Sequence, residues 1–181
     1  IISSAEMLFF EGYLFDNPKS KKAVQKAIQL AKKLGTKIAF TASDPNCIKR
    51  HQADFLEIIR HYADVIFANE AEAEAIFDEK DLRKNLYNFI TLNATSCITR
   101  GEAGSYIVQD EKIYDIEAVK VNDVYDVTGA GDAYAAGVLY GYLYGLSPEK
   151  YGKLGSLSAA EVIKYLGGRP NTDLSQLLNK I

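Results

Sequence analysis

The chain has 181 residues, of which 21 are Lys or Arg and 24 are Asp or Glu, so its formal net charge is −3. This acidic balance, without a basic stripe between aromatic residues, excludes the usual electrostatic pattern of a nucleic-acid-binding protein. The apolar (48%) and charged (25%) fractions are typical of a soluble globular domain. No apolar run reaches the roughly 18 residues that a membrane-spanning helix needs. We therefore predict a single cytoplasmic domain over residues 1–181, with no membrane partner.

Two details of the sequence bear on metal chemistry and on completeness. Cys47 and Cys97 are far apart and form no metal-ligand spacing with His51 and His61, so we predict two reduced thiols. The chain begins with Ile1 instead of Met and starts in what looks like the middle of an element. We therefore expect a piece of a longer protein.

Strand and helix patterns alternate along the first half of the chain. Apolar residues at helical spacing, such as Val24, Ile28 and Ala31, predict an amphipathic helix that stops at Gly35. The predicted elements are a strand at 7–10, a helix at 19–34, a strand at 37–41, a helix at 51–62, a strand at 64–68, helices at 70–77 and 81–89, and a strand at 95–99. This alternation predicts a three-layer α/β/α fold with a mostly parallel sheet.

The second half of the chain is predicted to contain a hairpin and then helices. Residues 105–108 and 112–116 pair as a hairpin, and helices follow at 130–144, from Pro148 to near Leu166, and after Asp173. In such folds, ligands bind beyond the carboxyl ends of the strands. The loops that follow strands, and so are informative about function, are 43–46, 68–72, 100–104 and 127–132.

The loop Gly129-Ala130-Gly131 leads directly into a predicted helix. Backbone N–H groups at a helix N-terminus attract anions, and small residues let an anion come close. The position and spacing of the glycines do not match a G-x-G-x-x-G dinucleotide loop or a Walker loop. Asp132 follows at once, and its carboxylate could accept the proton of an attacking hydroxyl. The alternative is that Asp132 only complements the helix dipole, and the local sequence leaves both interpretations open.

Residues 126–134, DVTGAGDAY, closely resemble the D-T-T-G-A-G-D-[AS]-F signature of the PfkB, or ribokinase-like, family of sugar and nucleoside kinases. Residues 69–72 (NEAE) fit the family's N-x-x-E motif, and residues 99–104 (TRGEAG) resemble its T-x-G-x-x-G segment. Residues 159–163 and 166–170 look like the C-terminal helix and turn of bacterial, adenosine-kinase-like members. The resemblance covers essentially the whole chain, but only the second half or so of a typical family protein. It therefore implies a ribokinase-like fold whose N-terminal part and small β lid are missing.

The resemblance also implies roles for individual residues. Asp132 corresponds to the catalytic base, and Gly129, Ala130 and Gly131 correspond to the anion hole. Asn69 and Glu72 correspond to the pair that organises magnesium and the phosphates, with Glu72 holding Mg²⁺ through water. The other correspondences are Thr99 and Gly101 near the nucleotide phosphates, Gly155 and Ser158 in the region lining the adenine cleft, and Asp126 at a monovalent-cation site with the backbone near Gly167 and Asn171.

The activity implied by the resemblance is transfer of the γ-phosphoryl group of ATP to a hydroxymethyl of a sugar or nucleoside. Adenosine or a ribose-like molecule is the first expectation for this small-molecule substrate. The implied cofactors are ATP and Mg²⁺, with K⁺ at the cation site, and some relatives dimerise, so a homodimer is expected of the full-length protein. Two alternatives stay open: a non-catalytic ATP-binding fragment of such a kinase, and a dinucleotide-dependent oxidoreductase.

Some of these polar residues also have simpler structural interpretations. Asn69 followed by Glu72 resembles a helix capping box, which is compatible with a ligand-binding role. Asp44-Pro45-Asn46 is interpreted as a turn, with a phosphate contact as the less favoured alternative. His51 is interpreted as a solvated residue at a helix start.

Overall fold

The computed structural model describes all residues from 1 to 181 and contains six β-strands and six α-helices. The strands are β1 (Met7–Glu11), β2 (Lys37–Thr41), β3 (Val65–Asn69), β4 (Thr95–Thr99), β5 (Ser105–Gln109) and β6 (Lys112–Ile116). The helices are α1 (Pro18–Leu34), α2 (Pro45–His61), α3 (Glu70–Phe77), α4 (Leu82–Ile90), α5 (Ala130–Leu143) and α6 (Pro148–Val162). Short 3₁₀ helices lie at Ile2–Ser4, Gly12–Phe15, Gly101–Ala103 and Leu174–Lys180.

The six strands form one sheet whose spatial order follows the chain, from β1 to β6. Strands β1 and β2 are parallel, with Phe10 opposite Phe40, and β2 and β3 are parallel, with Phe40 opposite Ile66. A two-residue turn joins β5 to β6, and both of its residues, Asp110 and Glu111, have positive φ (49° and 61°), as tight hairpin turns require. The predicted α/β fold with a mostly parallel sheet and flanking helices is confirmed.

The chain divides into two compact units, one formed by Ile1–Ile98 with Val108–Ile113 and the other by Thr99–Ile107 with Tyr114–Ile181. None of the helices is both long enough and apolar enough to cross a membrane. Both cysteines are free and buried: Cys47 lies in the first turn of α2 and Cys97 in β4. Burial raises the pKa of both thiols, that of Cys47 to about 11.

The core of the first unit is built around aromatic rings that pack edge to face. Phe55 on α2 packs edge-on against Phe40 on β2 and against Phe15, with ring centroids 5.0 and 5.2 Å apart. Such ring pairs contribute about 0.5–1.5 kcal/mol beyond the area that they bury. Gly12 lies under this cluster, because a Cβ there would come within 2.8 Å of the Ala42 carbonyl and of the Phe55 ring. The first unit therefore anchors α2 firmly on the sheet.

Helix α1 has start and stop signals that the sequence displays directly. The Asn17 side chain accepts hydrogen bonds from the amides of Lys19 and Ser20, and Pro18 occupies the first turn. Both residue types favour a helix start. Gly35 ends the helix in a left-handed conformation (φ 72°), which glycine adopts without steric cost.

Helix α2 begins earlier than the sequence pattern predicts, and Asp44-Pro45-Asn46 starts a helix instead of forming a turn. The Asp44 side chain accepts hydrogen bonds from the amides of Asn46 and Cys47, and Pro45 occupies the first turn. The helix is interrupted at His51 (φ −128°, ψ 22°), which is where the predicted helix starts. His51 is also not simply solvated, because its ring lies 2.9 Å from the Asp16 carboxylate and is largely buried.

In the second unit, α5 and α6 approach closely because small residues line their interface. A Cβ at Gly137 would lie 2.7 Å from the Leu154 carbonyl oxygen, and one at Gly141 would lie 2.5 Å from the Cβ of Tyr151. Helix α5 is also fixed to β5, since the buried Tyr134 hydroxyl donates to the Ser105 hydroxyl at 2.8 Å. These contacts fix the position of α5 against α6 and β5.

Candidate active site

Asn69 and Glu72 form a complete capping box at the carboxyl end of β3. The Asn69 side-chain oxygen accepts from the Glu72 amide at 2.9 Å, and the Glu72 carboxylate accepts from the Asn69 amide at 2.9 Å. The Asn69 side-chain N–H also donates to the second Glu72 oxygen at 2.8 Å. The predicted capping box is therefore present, and it holds the Glu72 carboxylate in one orientation.

The Glu72 carboxylate is only 7% exposed and lies in an acidic neighbourhood. Burial raises the pKa of this carboxyl, the Asn69 amide opposes that shift, and the negative charge of Asp44 raises the pKa further. Asp44 follows β2, so acids from two consecutive strand ends influence each other in the first unit. A cation near Glu72 would relieve this repulsion.

Tyr13 adds a third polar group to this end of the first unit, and no sequence pattern indicated it. The Tyr13 hydroxyl hydrogen-bonds to Asp44, which raises the pKa of Tyr13 and lowers that of Asp44. The amides of Asn46 and Cys47 also help to lower the pKa of Asp44. Asp44 is thus ionised and engaged as a helix cap and as a hydrogen-bond acceptor.

The donor set around Glu72 fits Mg²⁺ that is held mainly by water and substrate. The chain contains no group of three or more His, Cys, Asp and Glu side chains arranged to hold a metal ion. Each Glu72 oxygen accepts one hydrogen bond from Asn69, and a carboxylate oxygen has a second lone pair left. Mg²⁺ keeps several waters and often uses only one or two carboxylates, so one oriented carboxylate suits it.

The N-terminus of α5 in the second unit differs from that of α3, because no side chain caps it. Gly129 is the N-cap residue in a left-handed conformation (φ 76°), and no side chain hydrogen-bonds to the first turn. A Cβ at Gly129 would lie 2.7 Å from the Gly168 Cα. Both the positive φ and this close approach require glycine at position 129.

One backbone hydrogen bond bears on the anion hole predicted at Gly129, Ala130 and Gly131, which stays a prediction. The Ala130 amide donates to the Val127 carbonyl at 3.1 Å, so it is already engaged. The amides of Gly131 and Asp132 belong to the first helical turn, where N–H groups have no helical partner. A Cβ at Gly131 would meet no atom of another segment within 4 Å. The open donors at this helix end are therefore the amides of residues 131 and 132.

Asp132 lies in the first turn of α5 and is exposed. Its carboxylate belongs to the same short segment as the open amides, so an acid and open backbone donors adjoin each other. Asp126, six residues earlier, is engaged differently. Its two oxygens accept from the amides of Thr128 and Gly167, each at 2.9 Å, and the hydrogen bonds from Thr128 and then Gly167 lower its pKa.

Thr99 and Gly101 lie at and just after the end of β4, in a loop with a well-defined shape. Gly101 has a positive φ (57°), and the Arg100 amide donates to the Gly104 carbonyl at 2.8 Å. The Arg100 side chain pairs with Asp115 and lies over the Tyr106 ring, 3.8 Å from its centroid. The sequence analysis did not single out Arg100, because its partners lie on the following hairpin.

Gly155 and Ser158 are both buried in the packing of α6 against α5. A Cβ at Gly155 would lie 2.8 Å from Val138 and 3.0 Å from the Tyr134 ring. The Ser158 hydroxyl donates to the Leu154 carbonyl at 2.8 Å. This geometry gives both residues a packing role, and their assignment to an adenine cleft stays a prediction.

Comparison with known proteins decides the family. The family model for pfkB family carbohydrate kinases matches residues 1–174. The chain belongs to the pfkB family. The motif at 126–134, together with the segments at 69–72 and 99–104, thus lies inside a family match that covers nearly the whole chain.

Individual proteins are similar to this chain over part of their length. A nucleoside kinase from Methanocaldococcus jannaschii is 35% identical over 121 residues, which cover 64% of this chain and 37% of that protein. Crystal structures of a probable sugar kinase from Rhizobium etli and of adenosine kinase from Sinorhizobium meliloti each superpose with a TM-score of 0.94 at 36% identity. Each match covers 99% of this chain and 55% of the solved chain. The chain therefore spans about half the length of these two solved chains.

Proposed function

We propose that the protein is an ATP-dependent phosphotransferase that moves the γ-phosphoryl group to a hydroxymethyl of a sugar or nucleoside. The observation that carries this proposal is the uncapped N-terminus of α5, where an exposed acid, Asp132, adjoins open backbone amides. An acid beside an anion-binding helix end suits phosphoryl transfer to an alcohol. Membership of the pfkB family supports the same reaction and removes the support for a dinucleotide-dependent oxidoreductase.

In the proposed reaction, Asp132 accepts the proton of the acceptor hydroxyl. The hydroxyl oxygen forms a bond to the γ-phosphorus while the bond from that phosphorus to the β–γ bridging oxygen breaks, which leaves ADP. Negative charge on the γ-phosphoryl oxygens is stabilised by the first-turn amides of Gly131 and Asp132 and by the α5 dipole. Gly129 permits the turn that presents these amides, and Ala130 closes it through Val127.

Asn69 and Glu72 are the proposed organisers of Mg²⁺ and the phosphates. Bound Mg²⁺ would neutralise part of the negative charge of the phosphates. Asn69 orients the Glu72 carboxylate through two hydrogen bonds, one from its side-chain N–H to Oε1 and one from its backbone N–H to Oε2. Thr99 and Gly101 are the proposed neighbours of the nucleotide phosphates, because they lie at the end of β4 and in the loop that follows it.

The main role proposed for Asp126 is structural: it holds two backbone segments together through hydrogen bonds. Both of its oxygens accept backbone N–H groups, which uses part of the coordination capacity that K⁺ would need. K⁺ binding near Asp126 therefore stays a proposal that follows only from family resemblance.

The acceptor is proposed to be adenosine or a ribose-like molecule. Two structures of equal similarity support these classes equally, since one is a probable sugar kinase and the other an adenosine kinase. Both classes offer a primary hydroxyl on a hydroxymethyl group of a furanose or similar ring, which suits a single general base.

A direct assay tests the proposed function. The protein is mixed with ATP and Mg²⁺, and ADP and the phosphorylated product are measured with adenosine, other nucleosides, ribose or fructose as acceptor. Acceptor-dependent ADP formation with a matching phosphorylated product is the expected result. A second candidate is ATP binding without turnover. ATP binding by calorimetry without product from any acceptor would support that candidate, and lack of ATP binding would contradict both.

A further inference from the structure

The segment from residue 163 to residue 172, here named the strap, leaves α6 and returns to the loop that precedes α5. It contains no regular helix or strand. The carbonyl of Ile163 accepts from the amides of Tyr125 (2.9 Å) and Asp126 (3.4 Å). The amide of Gly167 donates to the Asp126 carboxylate at 2.9 Å. The strap therefore hydrogen-bonds to the backbone of residues 125 and 126 and also to the Asp126 side chain.

The strap also touches Gly129 itself, backbone against backbone. A Cβ at Gly129 would lie 2.7 Å from the Gly168 Cα and 2.9 Å from its carbonyl oxygen. A Cβ at Gly168, by contrast, would be 3.5 Å from Gly129, which is ordinary van der Waals contact. The position of the strap thus limits where Gly129, and with it the first turn of α5, can lie.

A buried acid on α6 holds the two ends of the strap. Glu161 is 9% exposed, and its carboxylate accepts from the Lys164 ammonium at 2.7 Å and from the Thr172 hydroxyl at 2.9 Å. Lys164 lies near the beginning of the strap and Thr172 at its end. Lys164 first, and then Thr172, lower the pKa of Glu161 despite its burial, so the carboxylate is charged at neutral pH. Both carboxylate oxygens of Glu161 thus accept hydrogen bonds from the strap, a segment without regular structure.

We infer that Glu161 is a positioning residue that latches the strap and, through it, holds Gly129 and the open amides of α5 in place. The latch is a property of the fold, while its effect on turnover rests on the function proposed above. Glu161 lies on α6, whereas Asp132 lies on α5, and no contact of Glu161 with substrate is proposed. Glu161 acts on the start of α5 only indirectly, through the strap residues Thr172, Gly167 and Gly168.

Amide hydrogen exchange, resolved by residue with NMR, tests the latch without requiring enzymatic activity. Thr172→Val removes the hydroxyl and keeps the side-chain shape, whereas Thr172→Ser restores the hydroxyl. Loss of one such hydrogen bond corresponds to about fivefold faster local opening. We therefore expect about fivefold faster exchange at the Gly167 amide in Thr172→Val, with exchange near the original rate in Thr172→Ser.

Glu161→Ala should give a larger effect, because it removes both contacts of the latch. The matched control is Glu149→Gln, which changes an exposed acid in the first turn of the same helix. This control should leave exchange at the Gly167 amide unchanged. Unaltered exchange at Gly167 in a folded Glu161→Ala or Thr172→Val protein would overturn the latch. An equal rise of exchange throughout the chain would also overturn it, because that result indicates global destabilisation. If Glu161→Ala does not fold, the Thr172 pair decides the question.

Turnover supplies the second measurement. Thr172→Val should lower kcat several-fold while the KM for the acceptor stays near its original value, and Thr172→Ser should restore kcat. Faster Gly167 exchange in a protein whose unmutated form transfers no phosphoryl group would support the latch and contradict the proposed function. Normal kcat in Thr172→Val, in spite of faster exchange, would remove the positioning role of Glu161.

Discussion

The first turns of α3 and α5 both have backbone N–H groups without a helical partner, and the two helices treat these groups differently. Each helix places an acid in its first turn, Glu72 in α3 and Asp132 in α5. In α3, the acid is buried and folds back to cap its own helix together with Asn69. In α5, the acid is exposed and no side chain caps the helix.

The difference shows which of the two helix starts keeps backbone donors open for an anion. A capped helix start has its donors satisfied, so it offers little to an anion, whereas an uncapped start keeps donors open. Glycine permits the second arrangement, since a side chain at position 129 would collide with the backbone at Gly168. Both acids resemble helix-dipole residues in sequence, and their hydrogen-bond partners distinguish them.

The largest expected effect is that of Asp132→Asn on catalysis. Loss of a general base typically lowers the rate by about 10²–10⁴-fold, so we expect a fall of this order in kcat with ATP affinity largely retained. If Asp132 only complements the helix dipole, the variant loses about 0.3–1 kcal/mol of stability and keeps its turnover. Steady-state kinetics with ATP titration by calorimetry separates these outcomes, and Glu149→Gln, at the start of α6, is the matched first-turn control.

The second prediction compares two glycines at the start of α5. Gly129→Ala should destabilise the protein by about 1–3 kcal/mol, because alanine is strained at positive φ and its Cβ would overlap Gly168. Gly131→Ala should be neutral or slightly stabilising, since its Cβ meets open space and alanine favours a helix by about 0.5–1 kcal/mol. Urea unfolding of the two variants measures both values, and equal losses would contradict the close approach of residues 129 and 168.

The third prediction concerns the capped helix. Asn69→Ala removes the cap of α3 and one partner of the buried Glu72 carboxylate. We expect a loss of about 1–2 kcal/mol in the free energy of unfolding. Asn69→Ser is the control, because its hydroxyl can still accept from the Glu72 amide and should restore part of the loss. Stability unchanged in Asn69→Ala would show that the capping box contributes nothing.

The smallest expected effect is a difference in acid sensitivity at the start of α2. Hydrogen bonds from Tyr13 and from the amides of Cys47 and Asn46 lower the pKa of Asp44. A carboxylate with a lowered pKa stabilises the folded state above its unfolded pKa of 3.8, and this contribution is lost as the pH falls through the folded value. Asp44→Asn keeps a good helix cap but cannot titrate there.

Urea unfolding from pH 7 to pH 3 measures this contribution. The stability of the unmutated protein should fall more steeply below about pH 4 than that of Asp44→Asn. Parallel curves would mean that the Tyr13 contact and the cap do not favour the ionised form. Asp132→Asn, which changes an exposed acid, serves as the comparison from the uncapped helix.

Local signals were sufficient to predict much of the fold. The bounds of β2, α3 and β4 match the prediction because Gly35, Asn69 and strand-forming runs mark them within a few residues. The start of α2 was missed because Asp-Pro-Asn fits both a turn and a capped helix with Pro at its first position. In that case, the deciding factor was packing of the following apolar residues Cys47 and Ile48, which are fully buried.

Within the candidate site, contacts between residues close in sequence were predictable and contacts between distant residues were not. The Asn69–Glu72 pair was anticipated because its members are three positions apart and form a known motif. The contacts Tyr13–Asp44, Gly129–Gly168 and Glu161–Thr172 were not, since each joins segments that only the folded chain brings together. No periodicity or motif encodes such pairings in a single sequence.

The burial of both native thiols makes this protein convenient for site-specific labelling. Cys47 and Cys97 are buried, and their raised pKa values leave almost no thiolate at neutral pH, so maleimides react with them slowly. A cysteine placed at an exposed position of the strap, such as Asn171, would then be the fast-reacting thiol. A fluorophore or spin label attached there could follow the strap directly, without first removing any cysteine.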